Sequence, residues 1–193
     1  CYLHTLHDAG AAVGTAQPSR LPGLPESPYI GGDAKIRSDL NGVTYLALAF
    51  PVPVGDAAKP YEMLKSVITT QFQNVENNTL SCFYYAYSTG GIFGFSSSGD
   101  ATTATETLKS AINVLKVVAG GGSGIDAAKA AVSLQSHLAV NSQLKNADMK
   151  GVSTADVTAA AVSALSAIPA YAVLGKTAGT LPLSKIEGLI KMK

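Results

Sequence analysis

Apolar and polar positions change period several times along the chain, and each change marks an element. Val43–Phe50, VTYLALAF, is apolar at nearly every position, which predicts a strand covered on both faces and central in a sheet. Pro51 and Pro53 end it. Pro60 fits the first turn of a helix running to about Thr70, with Tyr61, Leu64 and Ile68 on one side. Residues 79–98 then read as two strands. Cys82, Tyr84 and Ala86 alternate with Phe83, Tyr85 and Tyr87, so both faces carry bulk and cover on both is expected. The chain is expected to reverse tightly at Gly90-Gly91. Ile92, Phe93 and Phe95 surround Gly94, which leaves no side chain where a neighbour approaches.

The period then becomes helical. Ala104, Leu108, Ala111, Leu115 and Val118 form one stripe of a helix that starts at Asp100 or Thr103. Thr103-x-x-Glu106 reads as its capping box, and the Gly120–Gly124 run stops it. A second helix is predicted from about Ile125 to Val140. Ser153-x-x-Asp156 opens a third that ends before Pro169. Tyr171–Leu174 is a last strand and Ser184–Lys191 a last short helix. Upstream, Ala34–Arg37 is a short strand, followed by Asp39-Leu40-Asn41-Gly42, whose Asn-Gly step signals a hairpin. Pro18, Pro22, Pro25 and Pro28 forbid a helix before that, so residues 1–28 read as an extended arm and 29–193 as one folded domain. Strands in pairs separated by helices give an α+β class: a two-layer sandwich, helices on one face of a largely antiparallel sheet.

Composition adds one point to this picture. Of 193 residues, 14% are charged, against about a quarter in ordinary domains. A surface so poor in charge is expected to be covered in part by other protein, in a permanent assembly burying over about 2,000 Å². The net charge of +1 supplies no field for nucleic acid or anionic lipid. No stretch approaches the ~18 uninterrupted apolar residues of a membrane helix. Val157–Leu174 comes nearest, but Pro169 interrupts it, so any membrane association is expected to be peripheral. Cys1 and Cys82 make no disulfide framework, and a reducing compartment is expected. Cys rather than Met at the start leads to the expectation of a mature or partial piece. Asn77-Asn78-Thr79 matches a glycosylation sequon but reads as a polar loop.

No constellation of residues points to chemistry. His4 and His7 stand three apart with only Asp8 as a third donor nearby, and zinc needs three or four ligands. His137 stands alone. The glycine run at 120–124 follows a helix and leads into Ile125-Asp126, whereas a phosphate loop follows a strand and ends in Lys-Ser/Thr. Gly31-Gly32 opens no helix, so it is no dinucleotide fingerprint. No nucleophile elbow is present, and Cys82 lies in an apolar strand as inert filling. No catalytic, cofactor-binding or metal-ligating residue is assigned, and no cofactor is expected.

One block also carries a family mark. Phe83-x-x-x-Tyr87-Ser88-x-x-Gly91-x-Phe93-Gly94-Phe95 resembles the C-terminal half of the pitrilysin-type metallopeptidases, which include mitochondrial processing peptidase and the core proteins of respiratory complex III. Tyr29-x-Gly31-Gly32-Asp33 with Ile36-Arg37 resembles the opening of that half, and Gly175, Gly179, Pro182 and Ile186 its end, so the likeness spans about 28–193. Within the family it is nearest to core protein 2 of ubiquinol–cytochrome c reductase. Three features of other family members are absent from these residues. The zinc motif H-x-x-E-H is missing from these residues; Phe72–Thr79 holds neither the Arg nor the Tyr of active members; and only Thr69-Thr70-Gln71 stands where the processing peptidase alpha subunit has a glycine-rich loop. The resemblance implies a non-catalytic structural subunit on the matrix side of the mitochondrial inner membrane. Its implied partners are a core protein 1-like subunit, a second copy of itself and the cytochrome b-containing membrane part. Two other readings stay open: the non-zinc half of a two-chain metallopeptidase or processing peptidase, and a free-standing soluble binding domain of this fold.

Overall fold

A computed structural model describes residues 29–38, 42–72, 79–87, 90–121 and 152–191. The arm at 1–28, the helix expected near 125–140, Asn77, His4, His7, Asp8 and His137 lie outside the described residues.

Five strands form one sheet: β1 (Gly32–Arg37), β2 (Thr44–Val52), β3 (Ser81–Tyr87), β4 (Gly90–Gly99) and β5 (Ala170–Gly175). Their order across the sheet is β1-β5-β2-β4-β3. Among the described residues four α-helices accompany them: α1 (Lys59–Phe72), α2 (Ala101–Ala119), α3 (Thr154–Ser166) and α4 (Leu183–Ile190). The fold is the α+β two-layer sandwich that the periodicity implies. Three pairings are antiparallel; β1 with β5 is parallel.

The core lies between the sheet and the helices. Leu46, Leu48 and Phe50 of β2, Phe93 and Phe95 of β4 and Tyr171 and Val173 of β5 face Leu64, Val67 and Ile68 of α1 and Leu108, Ile112 and Leu115 of α2. Ala160, Ala161 and Ala164 line the buried side of α3, and small side chains let that helix pack closely. An aromatic cluster anchors this layer. Phe93 lies 5.4 Å from Phe95 and 5.9 Å from Tyr61, both edge-on, and Phe95 lies 6.3 Å from Phe50.

Several local expectations shift. The Asn-Gly step does not make a hairpin, because β1 pairs with β5 and β5 separates it from β2. Tyr87 stands opposite Gly90, so the β3–β4 chain reverses before Gly90, not at Gly90-Gly91. Asp100, not Thr103, caps α2: one carboxylate oxygen accepts from the backbone N–H of Thr102 and Thr103. Glu106 therefore lies inside the helix, where it pairs with Lys109 at 2.7 Å. At α3 the Ser153–Asp156 capping box forms as expected.

Hydrogen bonds from the Thr103 hydroxyl and backbone, more than any other cause, hold the Asp100 carboxyl below its ordinary range. A carboxyl depressed on folding stabilises above its unfolded pKa, and that contribution is lost as pH falls through the folded value. Asp100→Asn keeps a capping oxygen but does not titrate. Wild type should therefore melt above the variant at neutral pH, and the gap should narrow as pH falls through and below the ordinary carboxylate range. A gap independent of pH would assign the cap no charge component.

Candidate interaction surface

Register assigns each strand residue to a face. On the helix side β2 buries Thr44, Leu46, Leu48, Phe50 and Val52. The opposite side carries Tyr45, Ala47, Ala49 and Pro51, and Tyr45 is 51% exposed. Cover on both faces, expected for β2, is therefore not present among the described residues. β3 departs further from expectation, since it is an edge strand. Its Tyr85 and Tyr87 are 54% and 61% exposed.

The face that no described residue covers continues across the whole sheet. Ala47 stands beside Ala172 and Ser96, Ala49 beside Gly94 and Ala170, and Tyr45 between Leu174 and Ser98. β1 adds Ala34 and Ile36; β3 adds Phe83, Tyr85 and Tyr87. No described strand residue on this face is charged. The middle is floored by alanine, glycine and serine, and larger side chains rise at both ends. Such a floor is a shallow apolar trough, and an exposed apolar surface of this continuity marks an interaction site. Tyr29 reaches onto it, its hydroxyl donating to the Ala49 carbonyl at 3.4 Å.

Gly31 lets the chain turn onto the face. Its φ is +65°, and a Cβ there would stand 2.8 Å from the Pro169 carbonyl oxygen. The Gly31-Gly32 pair thus serves the backbone crossing beside Pro169. A second hollow lies at the end of α3, where Val162, Ile168, Pro169 and Ile190 meet, with Ile168 59% exposed.

Nothing in the described residues gathers three or more His, Cys, Asp or Glu that could hold a metal ion. Cys82 faces the helix layer beneath β3. Burial pushes its thiol up to about 11, against the opposing pull of the Thr69 hydroxyl and of Lys65. At neutral pH it is a protonated, poorly nucleophilic thiol. Iodoacetamide labelling read by peptide mass is expected to modify Cys82 only after denaturant is added. Labelling of the native chain at the rate of a free thiol would show that β3 is not seated on α1.

Among the described residues, no helix is long and apolar enough to cross a membrane. The trough went unread in the sequence because alternation alone does not say which parity faces out. Its signal, five strands each without charge at one parity, becomes visible only once register is known.

No protein-family model matches the sequence, and no curated protein matches it. Among solved structures the chain is similar to a chain of Complex III2 from Candida albicans, with a TM-score of 0.69 and 15% identity. The match covers 97% of this chain and 56% of that one, so this chain spans little more than half of its solved neighbour. At this identity the likeness lies in the fold, and the fold common to both is a mixed sheet with helices layered on one side.

Proposed function

We propose that this chain is a non-catalytic core subunit of mitochondrial respiratory complex III, of the core protein 2 type. In this reading it sits peripherally on the matrix side of the inner membrane. It braces the complex against a core protein 1-like subunit, a second copy of itself and the cytochrome b-containing membrane part. The complex carries electrons from ubiquinol to cytochrome c; this chain carries no redox group.

The observation that supports it best is the fold likeness to a complex III chain over 97% of these residues. The block that resembles the family, Phe83 to Phe95, falls on the β3–β4 hairpin of that fold. The uncharged trough agrees with a permanently assembled subunit, since a free monomer seldom leaves so continuous an apolar face open. A scaffold needs rigid faces and no activated group, and Cys82, the one described thiol, is protonated and half-buried.

Complex III isolated from the source mitochondria and digested for peptide identification tests the reading. Peptides of this chain at the abundance of the other core subunits are the expected result. Recovery as a stable matrix monomer, absent from the complex, would end it. Metal analysis and a presequence-peptide cleavage assay test the non-catalytic part. Cleavage by the chain together with a zinc-bearing partner would favour the non-zinc-half metallopeptidase instead, and one zinc bound per chain would end both readings.

A further inference from the structure

Three aromatic side chains form a row on the trough face of β3: Phe83, Tyr85 and Tyr87. Phe83 and Tyr85 stack with ring centroids 5.8 Å apart and planes 25° apart. Tyr85 and Tyr87 are each more than half exposed. Gly94, Ile92 and Gly90 of β4 stand beside the three rings. A Cβ on Gly94 would stand 2.7 Å from the Phe83 ring, so that ring covers bare backbone. The row is thus an aromatic wall beside a neutral floor of small residues, Gly94, Ala49 and Ala170.

The chain itself carries a segment of matching chemistry. Residues 18–28 lie outside the described residues and read Pro-Ser-Arg-Leu-Pro-Gly-Leu-Pro-Glu-Ser-Pro. Pro22, Pro25 and Pro28 recur at every third position, the period of a polyproline II helix. In that conformation they share one ridge, and Leu21 and Leu24 share the next. Exposed aromatic rows recognise such segments. Proline rings pack on ring faces, and tyrosine hydroxyls donate to carbonyls that the segment leaves free. Proline has no N–H to give, so such a segment meets the face of β3 rather than extending its ladder.

The place where the described chain begins sets this segment within reach. Tyr29 lies on the same face, its hydroxyl donating to the Ala49 carbonyl. Ala49 shares a register row with Gly94 and Phe83. β1 and β3 are four strand spacings apart, roughly 19 Å. Residues 18–28 in polyproline form would span roughly 34 Å, enough to cross the sheet and run along the row.

We propose that Phe83, Tyr85 and Tyr87 are the docking row for residues 18–28 of the same chain, which cross the trough from Tyr29 and lay their proline ridge against the rings. Leu21–Pro25, the stretch between Arg20 and Glu26, is uncharged like the strand surface it meets. The opposite end of the trough, with Tyr45, Leu174 and Ile36, stays open to a partner. The proposal stands whether or not the chain belongs to complex III.

The test uses the full 193-residue chain with the photo-crosslinking residue p-benzoylphenylalanine in place of Tyr87. Irradiation should join position 87 to a peptide from residues 18–28, and the product should run at the mass of one chain. Trypsin supplies a second readout, because Arg20 lies inside the segment. Tyr85→Ala combined with Tyr87→Ala should speed cleavage after Arg20 by roughly fivefold or more, towards the rate of a free peptide of residues 1–28. A melting temperature near wild type separates lost docking from lost folding. If the double variant unfolds, Pro25→Ser with Pro28→Ser, which lie outside the sheet and helices, should give the same acceleration. Any of three results would overturn the proposal: no crosslink to residues 18–28, a crosslinked product of two chains, or a cleavage rate after Arg20 that none of these substitutions changes.

Discussion

Gly94→Val is expected to lower stability by about 3 kcal/mol, at the upper end for overpacking a filled site. Gly94 lies on the trough face between Ala49 of β2 and Phe83 of β3. A Cβ there would run into the Leu48 carbonyl oxygen and stand 2.7 Å from the Phe83 ring and 2.9 Å from the Ala49 Cα. Two of those three atoms are backbone, so neither a rotamer change nor a side-chain shift relieves the contact. β4 must move away from β2, and the central pairing of the sheet goes with it. Urea titration followed by circular dichroism should show a lower midpoint with an unchanged slope. A midpoint equal to wild type would mean that the hairpin is packed differently.

The second large effect is expected from Phe93→Ala, at about 3–5 kcal/mol for a fully buried aromatic. Phe93 touches Phe50, Phe95 and Tyr61, so its loss opens a cavity that three rings share. Domains are stable by about 5–15 kcal/mol, so this single change consumes a large share. Tyr85→Ala, one register row away but on the open face of the edge strand, should change the same midpoint by less than about 0.5 kcal/mol. Equal effects at the two positions would contradict the assignment of faces.

The elements read correctly from the sequence are those whose signals are local. The stripe of α2 repeats over five residues from Ala104 to Val118, and all five are buried. The Ser153–Asp156 box closes within one turn. The β3–β4 hairpin needs only neighbouring residues. Where a local signal had competitors, geometry decided. Asp100 wins the cap over Thr103 because its short carboxylate reaches two backbone N–H groups at 3.0 Å. The Asn41-Gly42 step suits a tight turn, and the hairpin it suggests is lost to β5. That strand comes from 128 positions further on, Gly42 against Ala170, and no local pattern announces it. The trough was hidden for the same reason: which side of Tyr45-Ala47-Ala49 stays open depends on helices far along the chain.

The pairing of β1 and β2 with β5 also governs the order in which the molecule can be built. Strand β2 forms its β4 ladder within the first hundred residues, but its other side waits for Ala170–Leu174. A chain made or threaded from its first residue to its last therefore holds an apolar strand with one side unpaired until the final portion arrives. Such closures across long loops are slow, and the intermediate carries an aggregation-prone strand edge. A helper that shields that edge, or emergence of the whole chain before collapse, removes the hazard. The last strand acts as a zip fastener for the first two, and a chain cut short before it retains most of the residues but not the closure.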